Sequence, residues 1–174
     1  MEELVPFNSR EYWFFFALLL GGRGLDFLST WVATPNLVLE ANPIARRLGW
    51  KWGGVVNVVL SAGLALWPLS ALIVVTTSVL VAARNFQSAW LMRSMGEDAY
   101  RAWMTARVEA TPWPLFLFCL VGQTLPFLAV GGALMYFNSD RLVPLAVGMG
   151  NVAYGLAVAF YTLLSVWRLR RFMG

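Results

Sequence analysis

Long runs of apolar residues alternate with short polar segments along this 174-residue chain. A helix needs about 20 consecutive, mostly apolar residues to cross the hydrocarbon core of a bilayer. Five runs meet that requirement when the longest one is divided, and they cover residues 12–34, 48–67, 68–90, 114–137 and 142–167. The pattern therefore predicts an all-α fold, a polytopic membrane helical bundle in which residues 1–174 form a single transmembrane domain.

The division of the longest run rests on its length and on the position of a tryptophan. Residues 53–83 contain no charged side chain. One helix over that range would be about 46 Å long, more than the roughly 30 Å of a hydrocarbon core. A break between Trp67 and Pro68 places this tryptophan at a membrane interface, where tryptophan is enriched. We therefore predict two helices there; one steeply tilted helix, and four crossings in all, is the alternative.

The basic residues indicate how the bundle is oriented. With five crossings, three basic regions fall on one side of the membrane: the loop that contains Arg46 and Arg47, the 84–107 segment and the arginine-rich C-terminus. Loops rich in lysine and arginine stay on the cytoplasmic side. The sequence therefore predicts a multi-pass protein of the plasma membrane (the cell inner membrane), with its N-terminus outside and its C-terminus in the cytoplasm.

One further helix differs from the predicted crossings. Over residues 88–108, apolar side chains such as Trp103 recur every three or four residues, while Arg93, Glu97 and Arg101 are spaced four apart. An amphipathic helix of this kind lies in the plane of the membrane interface. We predict an interfacial helix on the cytoplasmic face; the alternative is an extension of the third crossing.

Composition supports a membrane protein and excludes several kinds of chemistry. Hydrophobic residues make up 59% of the chain and charged residues 13%, against about 45–50% and about 25% in soluble domains. There is no histidine and only one cysteine, which excludes histidine-based catalysis and an internal disulfide. We predict no metal site and no cofactor. The basic residues lie beside the predicted crossings, so we expect membrane lipids as partners and no nucleic acid.

Two opposite charges inside the first crossing are the strongest indication of a functional site. Arg23 and Asp26 interrupt an apolar run, and each charge at such depth costs about 2.5–3.5 kcal/mol on insertion scales. Thr30 follows Asp26 by one turn, so the three side chains can share one face. In one interpretation, Arg23 and Asp26 form an ion pair that faces the bundle interior. In another, Asp26 binds a cation, a proton or a cationic group beside Arg23. A third interpretation places both charges nearer the lipid head groups.

The loop after the first crossing holds further polar candidates. Residues 35–43 include Glu40 and, directly before Pro43, Asn42. An Asn-Pro pair is typical of a helix start, with the asparagine as the cap. Alternatively the loop re-enters the bundle and brings its polar side chains towards the charges of the first crossing, because irregular backbone at that depth must be buried or line a cavity. Asn57, in the second crossing, is the remaining candidate.

The spacing of these residues resembles that of an uncharacterised family of small prokaryotic polytopic membrane proteins. Its members carry Asp-x-x-x-Thr in the first helix and Glu-x-Asn-Pro before the second. The matching residues here are Asp26, Thr30, Glu40, Asn42 and Pro43. The resemblance covers roughly the first third of the chain. It implies a compact helical bundle and no particular activity.

Three functions are open at this point. The first is binding or transport of a small cationic or polar solute, since carboxylate, hydroxyl and amide oxygens suit such ligands. Its predicted ligand-binding residues are Arg23, Asp26, Thr30, Glu40, Asn42 and Asn57. The second is an accessory or structural subunit that associates with a protein partner or a second copy of itself. The third is a membrane-embedded enzyme acting on a lipid-linked substrate, for which the sequence identifies no catalytic residue.

Overall fold

A computed structural model describes residues 4–40 and 42–171 of the chain. Its elements are all helical, which confirms the predicted all-α class. They are α1 (Arg10–Ala33), α2 (Pro43–Leu64), α3 (Pro68–Met95), α4 (Glu97–Ala110), α5 (Trp113–Phe137) and α6 (Leu142–Arg171). Four of them, α1, α3, α5 and α6, are long and apolar enough to cross a membrane.

The predicted break in the longest apolar run is present. Helix α2 ends at Leu64, and α3 begins at Pro68 directly after Trp67. Proline is favoured in the first turn of a helix because an N–H at that position would have no partner within the helix. The alternative of one continuous helix over residues 53–83 is therefore wrong.

Helix α2 is bent near its start. Gly49 has φ 64° and ψ −172° and divides the helix into two parts, a backbone conformation that glycine adopts without steric cost. The short first part is capped by Asn42, whose Oδ1 accepts a hydrogen bond from the Ile44 backbone N–H at 3.0 Å. The Asn-Pro pair thus starts a helix, as its sequence predicts.

Helix α2 returns along α1 in the opposite direction. Near the middle of α1, Arg23 contacts Asn57 of α2. Near the start of α1, the Tyr12 hydroxyl donates a hydrogen bond to the Ala62 carbonyl oxygen at 3.2 Å. Ala62 comes after Asn57 in α2, whereas Tyr12 comes before Arg23 in α1. The two helices are therefore antiparallel, and α2 extends along much of α1.

Helix α3 then runs parallel to α1 and packs against it extensively. Gly22 of α1 lies against Val75, and a Cβ added to this glycine would be 3.4 Å from the valine backbone. Further along, Ser29 of α1 meets Asn85 of α3. Small residues at a helix interface allow the backbones to approach closely, and here they form the tightest part of the bundle around α1.

Glycines also hold α6 against its two neighbours. A Cβ added to Gly131 of α5 would lie 2.6 Å from the Gly148 carbonyl oxygen of α6, and a Cβ on Gly150 would lie 2.6 Å from Thr76 of α3. Because both distances are too short for a real side chain, these positions require glycine for the observed packing.

The predicted interfacial helix begins later than its sequence pattern indicates. Residues 88–95 extend α3, in agreement with the alternative that this segment prolongs the third crossing. Helix α4 is a separate helix from Glu97 to Ala110. Gly96, with φ 82°, separates them, because its positive φ cannot continue a right-handed helix. Within α4, Tyr100 is buried, and this burial raises the pKa of its hydroxyl.

Two adjacent glycines of α5 test the packing of α5 against α6. We expect Gly131→Ala to lower the free energy of unfolding by about 1–3 kcal/mol, because the added methyl group collides with the α6 backbone. Gly132 has no atom of another helix within 4 Å of an added Cβ, so we expect Gly132→Ala to raise stability by about 0.5–1 kcal/mol through helix propensity. Thermal unfolding of both variants in detergent micelles measures the difference, and equal effects would contradict this packing.

Candidate functional site

One cavity lies between α1, α2, α3 and α6 and has a volume of about 560 Å³. The structure brings all six predicted ligand-binding residues to its lining, namely Arg23, Asp26, Thr30, Glu40, Asn42 and Asn57. They come from three successive segments, which are α1, the loop after it and α2. Ligand binding by these residues stays a prediction, but their convergence at one cavity is a property of the fold.

Arg23 is the centre of the polar network. Its Nη1 donates to Asp26 Oδ2 at 2.9 Å and to Ser78 Oγ at 3.2 Å, and its Nε donates to Asn57 Oδ1 at 2.6 Å. The amide of Asn57 is oriented in turn by its Nδ2, which donates to the Gly53 carbonyl oxygen at 2.7 Å. A single guanidinium therefore connects α1, α2 and α3.

Arg23 and Asp26 form the intrahelical ion pair that is one of the interpretations of their spacing. The two side chains are 32% and 18% exposed, so neither lies freely in solvent. Asp26 lies only about 7 Å along the axis from the midpoint of α1 at 1.5 Å per residue. If α1 crosses the bilayer, both charges lie inside a hydrocarbon core of roughly 30 Å. Asp26 both pairs with Arg23 and lines the cavity.

A second set of hydrogen bonds joins α1 to α3 one turn further on. The Asn85 side chain donates from Nδ2 to Ser29 Oγ at 3.2 Å and to Thr30 Oγ1 at 3.3 Å. Ser29 Oγ donates to the Asp26 backbone carbonyl oxygen at 2.8 Å. Asn85 lines the cavity, although it is not among the predicted site residues. A polar residue such as Asn85 after a long apolar run indicates a candidate site residue. The sequence does not reveal, however, which face of α3 meets α1.

Arg84 is the second arginine of the cavity lining and is likewise absent from the predicted set. Its Nη2 donates to Thr162 Oγ1 of α6 at 3.3 Å. In the described part of the chain, no carboxylate lies within ion-pair distance of its guanidinium. With Arg23, Asp26 and Glu40, the lining contains two positive and two negative side chains, so its formal charges cancel.

The loop that follows α1 is folded on itself by side-chain to backbone hydrogen bonds. Thr34 Oγ1 accepts from the Leu39 N–H at 3.1 Å, and Glu40 Oε1 accepts from the Asn42 N–H at 2.7 Å. Leu37 occupies the left-handed region with φ 58°. Asn42 is a helix cap, and both it and Glu40 line the cavity. The cap interpretation of this loop is therefore confirmed, whereas its re-entry into the membrane stays a prediction.

Two neighbouring helices hold the outside of the same loop. On the α4 side, the Glu97 carboxylate accepts from the backbone N–H groups of Asn36 at 2.7 Å and Val38 at 3.2 Å. On the α2 side, Trp50 Nε1 donates to the Pro35 carbonyl oxygen at 2.8 Å. The charge-assisted bonds to Glu97 are of the stronger kind, and together these contacts fix the loop beside the cavity.

The donor set of the described residues is unlike that of a transition-metal centre. Within residues 4–40 and 42–171, no group of three or more His, Cys, Asp or Glu side chains is placed to hold a metal ion. The lining offers carboxylates, guanidinium groups, amides and hydroxyls, together with aromatic rings from Phe27 and Trp50, whose centroids are 5.4 Å apart. These groups are suited to an organic ligand that combines charge with apolar surface.

No family model, no curated protein and no solved structure matches the chain. The resemblance through Asp26, Thr30, Glu40, Asn42 and Pro43 therefore stays a prediction. The accessory-subunit and enzyme hypotheses also stay predictions. The cavity is the feature of the molecule that points to a function.

The ion pair gives a test of the network. We expect Arg23→Gln and Asp26→Asn each to destabilise the protein, because each leaves one charge without its partner inside the bundle. The double variant removes both charges, so we expect it to be more stable than the sum of the single effects predicts, with a coupling of about 0.5–3 kcal/mol. Unfolding in mixed micelles measures all three variants.

The matched control is the exposed pair at the turn between α5 and α6. Asp140→Asn and Arg141→Gln make the same chemical changes at exposed positions, and we expect their effects to be small and additive. Additive effects of the Arg23 and Asp26 substitutions would show that these two charges do not stabilise each other.

Proposed function

We propose that this chain is an integral membrane protein that binds a small polar or cationic ligand in the cavity between α1, α2, α3 and α6. The observation that supports this proposal is the convergence of α1, the 34–42 loop and α2 at one cavity, with polar side chains from each. Ionisable groups within apolar helices are costly and typically mark binding sites or pathways. A mostly apolar pocket with a few convergent polar groups is the usual form of a ligand site.

The charges of the lining narrow the chemistry of the ligand. Asp26 already accepts a hydrogen bond from Arg23, and the four charged side chains of the lining sum to zero. This balance favours an organic cation with hydrogen-bonding groups, or a ligand of balanced charge, over a bare metal ion. The rings of Phe27 and Trp50 add surfaces on which an ammonium group can rest.

We further propose five crossings of the plasma membrane, with the N-terminus outside and the C-terminus in the cytoplasm. In support, α2 is antiparallel to α1, and Val5 before α1 donates a hydrogen bond to Leu66 before α3 at 3.0 Å, so α1 and α3 begin at the same end of the bundle. Helix α2 must then return between them. In this orientation Arg46 and Arg47 face the cytoplasm, as the positive-inside rule requires.

Single cysteines test this orientation in a background that carries Cys119→Ser. We expect Ser9→Cys and Trp67→Cys to react with a membrane-impermeant maleimide added to intact cells, because both lie at the outer ends of helices in the five-crossing arrangement. We expect Ser94→Cys to react only after permeabilisation. Labelling at position 9 but not at position 67 in intact cells would show that α2 does not cross the membrane.

Thermal unfolding in lipid nanodiscs tests ligand binding. The probes are ethanolamine, choline, putrescine, glycine betaine and phosphorylethanolamine, each titrated onto the purified chain. We expect at least one of them to raise the unfolding midpoint, since a ligand at 100 times its Kd stabilises the folded state by about 2.7 kcal/mol. Asp26→Asn should remove this effect, because the carboxylate is part of the site.

Two further variants make this result specific. Asp140→Asn removes a carboxylate at an exposed turn outside the cavity and should keep the full shift. Thr30→Val changes the lining without altering a charge, and we expect it to reduce the rise in the unfolding midpoint that the ligand causes. This variant keeps the test informative if Asp26→Asn does not fold. The proposal is wrong if every probe that stabilises the protein acts equally on the wild type and on the cavity variants.

A further inference from the structure

The cavity is not closed between α2 and α6. Both helices contribute to its lining, yet in the described part of the chain no Cα atom of α2 lies within 8 Å of a Cα atom of α6. The same holds for α2 with α4 and with α5. The fold therefore leaves a gap between α2 and α6 at the side of the bundle.

The edges of this gap are mostly apolar. Val56 and Leu60 line the cavity from α2, and Ala157, Val158 and Tyr161 line it from α6. Leu60 is 55% exposed, which is expected of a side chain that faces lipid rather than protein. A hydrocarbon chain can lie in such a gap without displacing a hydrogen bond.

Arg84 places a positive charge at the polar end of this opening. Its guanidinium lines the cavity and donates to the Thr162 hydroxyl, and no carboxylate of the described residues lies within ion-pair distance of it. A charge of this kind inside apolar helices needs a counter-charge or a path to water. The planar guanidinium is well suited to a phosphate, which it can bind through two parallel hydrogen bonds.

The depth of Arg84 agrees with a phosphate at the membrane surface. Arg84 follows Trp67 by 17 residues, a distance of about 26 Å along α3 at 1.5 Å per residue. If Trp67 marks the outer interface, Arg84 lies close to the inner boundary of a hydrocarbon core of roughly 30 Å. Its long side chain can extend from there towards the head groups.

We propose that the cavity binds a phosphate-headed lipid of the cytoplasmic leaflet, with its phosphate at Arg84 and its acyl chains leaving through the gap between α2 and α6. This inference rests on the proposed function and names the class of its ligand. The cavity of about 560 Å³ is within the range of about 300–1,000 Å³ of small-molecule sites, so it accommodates a head group while the acyl chains remain in the bilayer.

Native mass spectrometry of the full chain, titrated in detergent, tests this assignment. The probes are dioleoyl-phosphatidylethanolamine, dioleoylglycerol, which lacks the phosphate, and phosphorylethanolamine, which lacks the acyl chains. We expect the phospholipid to bind roughly tenfold or more tightly than dioleoylglycerol, because a charge-assisted hydrogen bond changes affinity by about that factor. Arg84→Gln should remove the preference, and Arg84→Lys should retain part of it.

Two matched controls separate the site from general lipid attraction. Arg107→Gln removes the same charge from an exposed position of α4 outside the cavity and should leave the preference unchanged. Ala157→Phe fills the gap and should weaken phospholipid binding, whereas Leu156→Phe, at a position that is 57% exposed and outside the lining, should not. The Ala157 variant keeps the arginine and remains informative if Arg84→Gln does not fold.

The outcomes distinguish this inference from the proposed function. Equal binding of the phospholipid and dioleoylglycerol, or equal behaviour of Arg84→Gln and Arg107→Gln, would overturn the lipid assignment. If phosphorylethanolamine or another small solute then still stabilises the chain in a manner that depends on Asp26, the cavity binds a free solute and the proposed function stands. If Asp26→Asn changes the binding of no probe, the proposed function fails as well.

Discussion

The hydrogen bonds of Arg23 are the constraint on which the arrangement of the first three helices depends. Its guanidinium reaches Asp26 on its own helix, Asn57 on α2 and Ser78 on α3. The bonds to Asn57 and Ser78 cross from α1 to its neighbours, and they act on α2 together with the Tyr12–Ala62 and Trp50–Pro35 hydrogen bonds. If α1 crosses a bilayer, where polar groups are poorly solvated, these two bonds of Arg23 are favoured over separation of the helices.

The position of α2 determines the cavity. Close packing of α1 on α3 through Gly22, and of α3 on α6 through Gly150, forms one wall from three helices. Helix α2 packs on α1 and α3 but not closely on α6, because no Cα atom of α2 in the described residues lies within 8 Å of one in α6. The 34–42 loop closes one end and is held there by Glu97 and Trp50. A polar site with an apolar side opening is the direct result of this unequal packing.

The sequence identifies the six polar residues that meet at the cavity, whereas it does not predict where α3 ends and α4 begins. Charges such as Arg23 and Asp26 are identifiable because their energetic cost in an apolar run is large, and that cost does not depend on the fold. The start of α4 at Glu97 is not visible in the sequence because the amphipathic pattern continues through Gly96, whose φ is positive. Arg84 and Asn85 were not assigned to the site, since their role depends on which face of α3 meets α1 and α6.

The amino-acid sequence is enough to predict the helical class, the break before Pro68 and the polar residues that need an explanation, because hydropathy, proline geometry and charge burial are local properties of the chain. The folded bundle is needed to show that α2 lies apart from α6, that Glu40 lines the cavity and that Arg84 reaches it from α3. These features depend on helix pairing, which is set by close contacts between glycines and by single hydrogen bonds distant in sequence. No local pattern encodes such pairings, so the shape of the site is a property of the assembled bundle.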